Sequence, residues 1–211
     1  MVERKPTPAK VASEIRNLLK EGGSAEHVKG MQWFFKEEVE SHGWHTAQLR
    51  REAVRLRAII LKDFDVRFLV QIADQLFSGG ILEEKIFAVF LLEKRTHQLG
   101  NPEFRLFESW LDRIISWTDH DALVHYLVAP MIVAEPSRAK AAFRWAKSPN
   151  HWHRRAACVA LIMGTRQKCF SLRLSAYPTS FWPMKMPWCK RGLAGYYEKQ
   201  PKRMQSRSFP I

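Results

Sequence analysis

What this chain lacks narrows it first. It contains no run of eighteen consecutive apolar residues, and its opening stretch, Met1-Val2-Glu3-Arg4-Lys5-Pro6-Thr7-Pro8, has no apolar core of the kind a signal peptide needs. Neither secretion nor membrane spanning is therefore expected. Cysteine is scarce, and Cys158, Cys169 and Cys189 form no Cys-x-x-Cys pair. An odd set without that spacing points to a reducing compartment and away from a zinc site. No glycine-rich loop suited to phosphates appears, no Ser-His-Asp order stands out from chance, and no alternating strand-like run is present. A metal pair on a helix, His120 with His125, is disfavoured because the two lie five apart with no further ligand cluster in sight.

Acidic residues are almost missing from one part of the chain. The formal net charge is +13, but residues 166 to 211 hold ten Lys or Arg against the single acid Glu198. Upstream remain 24 bases and 20 acids, a net of only +4. Basicity by itself thus says little about the body of the protein, and a nucleic-acid partner has to be argued from local arrangement.

What is present is helical periodicity. Apolar residues recur at helical spacing in Ala9–Lys20, after Ser24 (Val28, Met31, Trp33, Phe34, Phe35), from Thr46 as N-cap (Leu49, Ala53, Leu56, Ile60), and from Asp65 to Phe77. They recur again in Leu82–Gln98, after Asn101-Pro102, in Trp117–Val133, in Ser137–Lys147, and after Asn150 from Trp152 to Met163. About nine helices with short polar breaks, and none standing out as a very apolar central helix, predict an all-α fold of stacked helix pairs. The expected architecture is a HEAT-like helical-repeat solenoid over residues 8–165, followed by an irregular basic tail over 166–211. The third helix carries Arg50, Arg51, Arg55 and Arg57, a stripe that suits phosphates or simply a solvated face.

Two stretches carry more specific information. In Ser116-Trp117-Thr118-Asp119-His120-Asp121, Trp117 and Asp121 are four apart, so a helix places an aromatic plate one turn from a carboxylate. Such a pair suits a flat cation, although buried tryptophans and helix-start aspartates commonly serve the core and the helix dipole. The second stretch is Ser148-Pro149-Asn150-His151-Trp152-His153-Arg154-Arg155-Ala156-Ala157, near Arg144 and Lys147, a local cluster of cations. Trp152 reads as core, and an arginine in a helix's first turns is most often solvated or salt-bridged.

Together the two stretches resemble the Trp-x-x-x-Asp and Trp-x-x-Arg-Ala-Ala motifs of the AlkD-type DNA alkylation repair family of HEAT-like-repeat DNA glycosylases. His42-Gly43-Trp44-His45-Thr46-Ala47-Gln48-Leu49-Arg50-Arg51 fits that family's early loop-to-helix junction more loosely, and the likeness spans roughly residues 25–165. The resemblance implies a DNA glycosylase that releases cationic alkylpurines of the 3-methyladenine or 7-methylguanine type from double-stranded DNA. Asp121 would be the catalytic carboxylate, Trp117 the wall against the lesion, and Arg155 the phosphate-binding guanidinium. Arg154, Lys147, Arg144, His151, Arg50 and Arg51 would be further DNA contacts. It implies no metal and no organic cofactor, a monomer, no membrane partner, and a place in the bacterial cytoplasm or nucleoid. The competing readings are a noncatalytic relative that recognises damaged or branched DNA, and a helical-repeat protein-interaction scaffold.

The tail departs from that family, which would continue in helix pairs including a Trp-x-x-Arg-Glu motif. A frame displaced by two nucleotides inside the Phe170 codon permits, through synonymous codons, an amphipathic sequence containing that motif. The expectation is a chain frameshifted and truncated after about residue 168, with impaired activity.

Overall fold

Helix starts follow the side chains able to cap them. In the computed structural model, which describes residues 5–32, 35 and 38–166 (to 161 for side chains), Thr7 Oγ1 accepts the Lys10 N–H and Pro8 opens α1 (Pro8–Glu21). Ser24 Oγ accepts from His27 to start α2 (Ala25–Met31), and Asp65 accepts from Phe68 at 3.0 Å to start α4 (Val66–Phe77). Asn150 Oδ1 accepts the Trp152 N–H at 2.9 Å to start α10 (His151–Arg166).

Other boundaries differ from the sequence reading. Helix α2 ends at Met31, and its expected continuation through Trp33 and Phe34 lies outside the described residues. Helix α3 (Thr46–Ile60) is preceded by His45 at the cap position, with no side-chain bond there, so Thr46 is its first residue and not its cap. The expected helix Leu82–Gln98 is instead α5 (Leu82–Leu92), a break, and a short 3₁₀ turn at Thr96–Gln98. Lys94 at φ 63° makes the break, a left-handed conformation that stops helical hydrogen bonding. Gly100 rather than Asn101 occupies the cap of α6 (Asn101–Trp110), and Glu103 reaches back to accept the Gly100 N–H at 2.7 Å.

The largest departure concerns α5, which is buried along its whole length, its polar first turn included. It packs against α3, α4 and the helix that begins at Trp117, and so serves as the central helix that the periodicity gave no sign of. Its polar residues are accommodated by pairing. Glu83 accepts from Ser41 Oγ (2.6 Å) and from the backbone N–H groups of His42 (2.8 Å), Gly43 (2.9 Å) and Trp44 (3.2 Å), gathering the loop before α3 onto one carboxylate. Gly43 is needed in that loop: its φ is +81°, and a Cβ there would lie 2.1 Å from the Ser24 carbonyl oxygen. Lys85 Nζ donates to the Phe77 and Arg113 carbonyls at 2.7 and 2.8 Å, and burial lowers the pKa of its amine.

After α6 and a 3₁₀ turn at Leu111–Arg113, one continuous helix runs from Trp117 to Ala134 as α7 (Trp117–Leu123), a π-helical segment (Val124–Val128) and α8 (Ala129–Ala134). Pro130 has no N–H to offer the turn before it, and the widened π turn immediately precedes it. Helix α9 (Ala139–Trp145) then leads to α10, which packs on α8 and α9 and also touches α7. Helices alone make up the regular structure of the described residues, an all-α helical-repeat fold, and none of them is long and apolar enough to cross a membrane. Nearly all of the expected tail lies outside the described residues.

Candidate functional site

Ser116 builds the start of α7. Its Oγ accepts the Thr118 N–H at 3.2 Å and donates to Asp119 Oδ1 at 2.7 Å. Asp119 in turn accepts the N–H groups of Ser116 (2.8 Å) and Ile115 (3.0 Å), a reciprocal cap that fixes where the helix begins. Asp119 is wholly buried, and burial raises its carboxyl pKa against the pull of those bonds. Of the two aspartates here, Asp119 is therefore the structural one.

Trp117, the first helical residue, stays 45% exposed although it is large and apolar, and its ring centroid lies 6.0 Å from that of Phe35. Asp121 sits one turn further on, half-buried. Its Oδ1 accepts from His120 Nδ1 at 2.7 Å and from Arg155 Nε at 2.9 Å, while Oδ2 accepts from Arg155 Nη2 at 2.6 Å. Burial would push the Asp121 carboxyl up, but the hydrogen bonds from His120 and Arg155 and their charges outweigh it and hold the group below its ordinary value. Asp121 is thus held as a carboxylate, next to an exposed aromatic surface. The two motifs, 34 positions apart, meet in one bidentate ion pair.

The remaining predicted cations are distributed less simply. Arg154 Nη1 donates to the carbonyls of Ser148 (2.8 Å) and Pro149 (2.6 Å), tying off the loop that precedes its own helix. Arg144 is exposed and pairs with Glu108 at 2.7 Å; Lys147 and His151 are exposed, with the His151 ring 4.3 Å from that of Trp152. Arg50 lies across the rings of Phe90 (4.4 Å) and Tyr126 (4.6 Å) and pairs with Glu93 at 3.3 Å. Arg51 is exposed. The stripe on α3 does not hold together as one basic face, because Arg55 pairs with Glu52 and Arg57 is buried, donating to the Phe90 and Glu93 carbonyls at the end of α5. Among the described residues no cluster of three or more His, Cys, Asp or Glu is placed to hold a metal ion.

A family model described as DNA alkylation repair enzyme matches residues 15–178. The chain belongs to that family. The match covers α3 to α10, carries both motifs, and runs a few residues past Phe170, where the frame departure is expected. No curated protein and no solved structure matches the chain. Membership of the DNA alkylation repair family points to DNA as the partner.

One residue of this site was not anticipated. His120 was weighed only as a metal ligand, yet it bridges the motifs, with Nδ1 on Asp121 and Nε2 3.1 Å from the Trp152 carbonyl oxygen. The available signal was its position next to Asp121, which on a helix turns it about 100° from the carboxylate toward a neighbouring element.

Proposed function

We propose that the protein hydrolyses the N-glycosidic bond of cationic alkylpurines in duplex DNA. Alkylation at N3 or N7 places a positive charge on the base, so the C1′–N bonding electrons can leave with it and neutralise it. Positive charge then builds on the sugar as an oxocarbenium ion. A carboxylate close to that centre stabilises it and orients a water, whose oxygen bonds to C1′ while its proton passes to the carboxylate and on to solvent. Free base and an abasic site are the products.

Asp121 is assigned the carboxylate role, Trp117 the aromatic wall for the cationic nucleoside, and Arg155 the phosphate contact beside it. Arg51, Lys147, Arg144, His151, Arg50 and Arg154 are assigned to backbone tracking, for which Arg144, Arg50 and Arg154 exchange the protein partners described above for phosphate. The observation that carries the reading is an ionised, half-buried aspartate one helical turn from a large aromatic side chain left exposed, in a chain of the DNA alkylation repair family. No metal or organic cofactor is needed by this chemistry.

One observation favours the noncatalytic alternative: both oxygens of Asp121 are already engaged by protein donors. The test is release of free 7-methylguanine or 3-methyladenine from alkylated duplex DNA by the full chain. Release that disappears in Asp121→Asn is the expected result, with salt-sensitive duplex binding kept in the variant. Binding without release supports the noncatalytic relative, and absence of salt-sensitive binding supports the protein scaffold. If the frame is displaced after about residue 168, a protein made in the alternative frame should release base faster than this one.

A further inference from the structure

The side chain that joins the two motifs is fully buried, and both of its polar atoms are committed. His120 has no exposed surface. Its Nδ1 lies 2.7 Å from Asp121 Oδ1 and its Nε2 lies 3.1 Å from the Trp152 carbonyl oxygen, while its ring stacks on the Trp152 ring with centroids 5.5 Å apart. A backbone carbonyl can only accept a hydrogen bond, and so can an ionised carboxylate. The bond to Asp121 therefore requires the proton on Nδ1.

The bonds to Asp121 are not equivalent. Arg155 reaches it from α10 with a long, flexible side chain that is itself partly exposed, through Nε and Nη2. His120 reaches it from the adjacent position on α7, is closed off from solvent, and is pinned at its far nitrogen by α10 backbone. A phosphate can draw Arg155 away, since a guanidinium fits phosphate as well as carboxylate. It cannot draw His120 away without opening the α7–α10 contact.

We infer that His120 is a positioning residue whose Nδ1–H holds Oδ1 of Asp121 in place while Arg155 turns to the DNA backbone, leaving Oδ2 free to face the sugar or its water. The inference rests on the excision reading above and adds to it the group that keeps the carboxylate aimed when its other partner leaves.

Two substitutions separate aim from packing. In His120→Asn the side-chain amide nitrogen falls near the position of Nδ1 and keeps a donor for Asp121; in His120→Gln it falls near Nε2 and serves the Trp152 carbonyl instead. Excision of 7-methylguanine by the full-length chain should lose roughly 10- to 100-fold in kcat for His120→Gln with KM unchanged, the value of one hydrogen bond to a charged group. His120→Asn should stay at least about tenfold above His120→Gln. Equal rates for the two variants, or a His120→Gln rate matching wild type, would overturn the inference. An independent readout is the nitrogen-15 spectrum of the histidine rings in the full chain. A proton on His120 Nδ1 is expected, and a bare Nδ1 overturns the inference whether or not any base is released. If wild type releases no base, the excision reading is what fails, and the spectrum still decides whether His120 clamps Asp121.

Discussion

Breaking the Asp121–Arg155 pair should destabilise the fold by an amount the geometry sets. Two parallel bonds of 2.9 and 2.6 Å, with side chains 24% and 37% exposed, place the pair between a solvated surface contact and a buried one. Exposed pairs contribute about 0.2–1 kcal/mol and hydrogen bonds to charged groups about 1.5–3 kcal/mol. Solvent screening at Asp121 argues for the lower part of the second range, about 1.5 kcal/mol. Arg155→Met keeps much of the aliphatic stem and should lower Tm by roughly 3–6 °C for a chain of this size. A double-mutant cycle with Asp121→Asn, which removes the charge but leaves an acceptor for His120, should return a coupling of about 1 kcal/mol in urea denaturation. The pH dependence has a definite sign. The folded-state value of Asp121 is depressed, so the advantage of wild type over Arg155→Met is fully present above the ordinary carboxylate value of about 4 and is lost as pH falls through the folded value. Additivity of the two substitutions within about 0.3 kcal/mol, or an advantage that persists unchanged into acid, would refute the reasoning.

Two further predictions concern the buried charges on α5. Glu83→Gln turns an amide N–H₂ toward backbone N–H groups of the loop, and should cost about 2–3 kcal/mol and speed hydrogen exchange at His42, Gly43 and Trp44; unchanged exchange there would show that the loop holds without the carboxylate. Lys85→Met fills similar volume but strands the Phe77 and Arg113 carbonyls, and should cost about 2–4 kcal/mol, so a loss below about 0.5 kcal/mol in urea titration would mean that these carbonyls find other partners.

Those same charges explain where the fold was hard to read. Helices starting at Ser24, Asp65 and Asn150 were legible because a cap is a contact between residues two or three apart. The break at Glu93–Lys94 was not, since Glu93-Lys94-Arg95-Thr96-His97 contains neither glycine nor proline and Lys94 adopts the left-handed conformation without them. Helix α5 hid its centrality behind Glu83, Glu84 and Lys85, three charged residues at its start. Arg16, the loop before α3 and the Arg113 carbonyl, which partner them, sit 28 to 68 positions away, so no short window along the sequence shows that these charges are satisfied inside.

The candidate site divides in the same way. Trp117 and Asp121 were legible as a pair because one helical turn joins them, and Arg155 was legible as part of a motif, but the contacts joining Asp121 to Arg155 and His120 to Trp152 span 34 and 32 positions. Only the folded chain shows that the two motifs are opposite ends of one ion pair. Under the excision reading this changes what DNA binding has to accomplish. A backbone phosphate brings one negative charge to Arg155 and replaces the one it gives up at Asp121, so the arginine exchanges one bidentate anion for another. The carboxylate, released on Oδ2 but still held at Oδ1 by His120, then has a lone pair to offer at the moment a sugar arrives. A resting site with both oxygens engaged is therefore compatible with an enzyme whose carboxylate is uncovered by its own substrate.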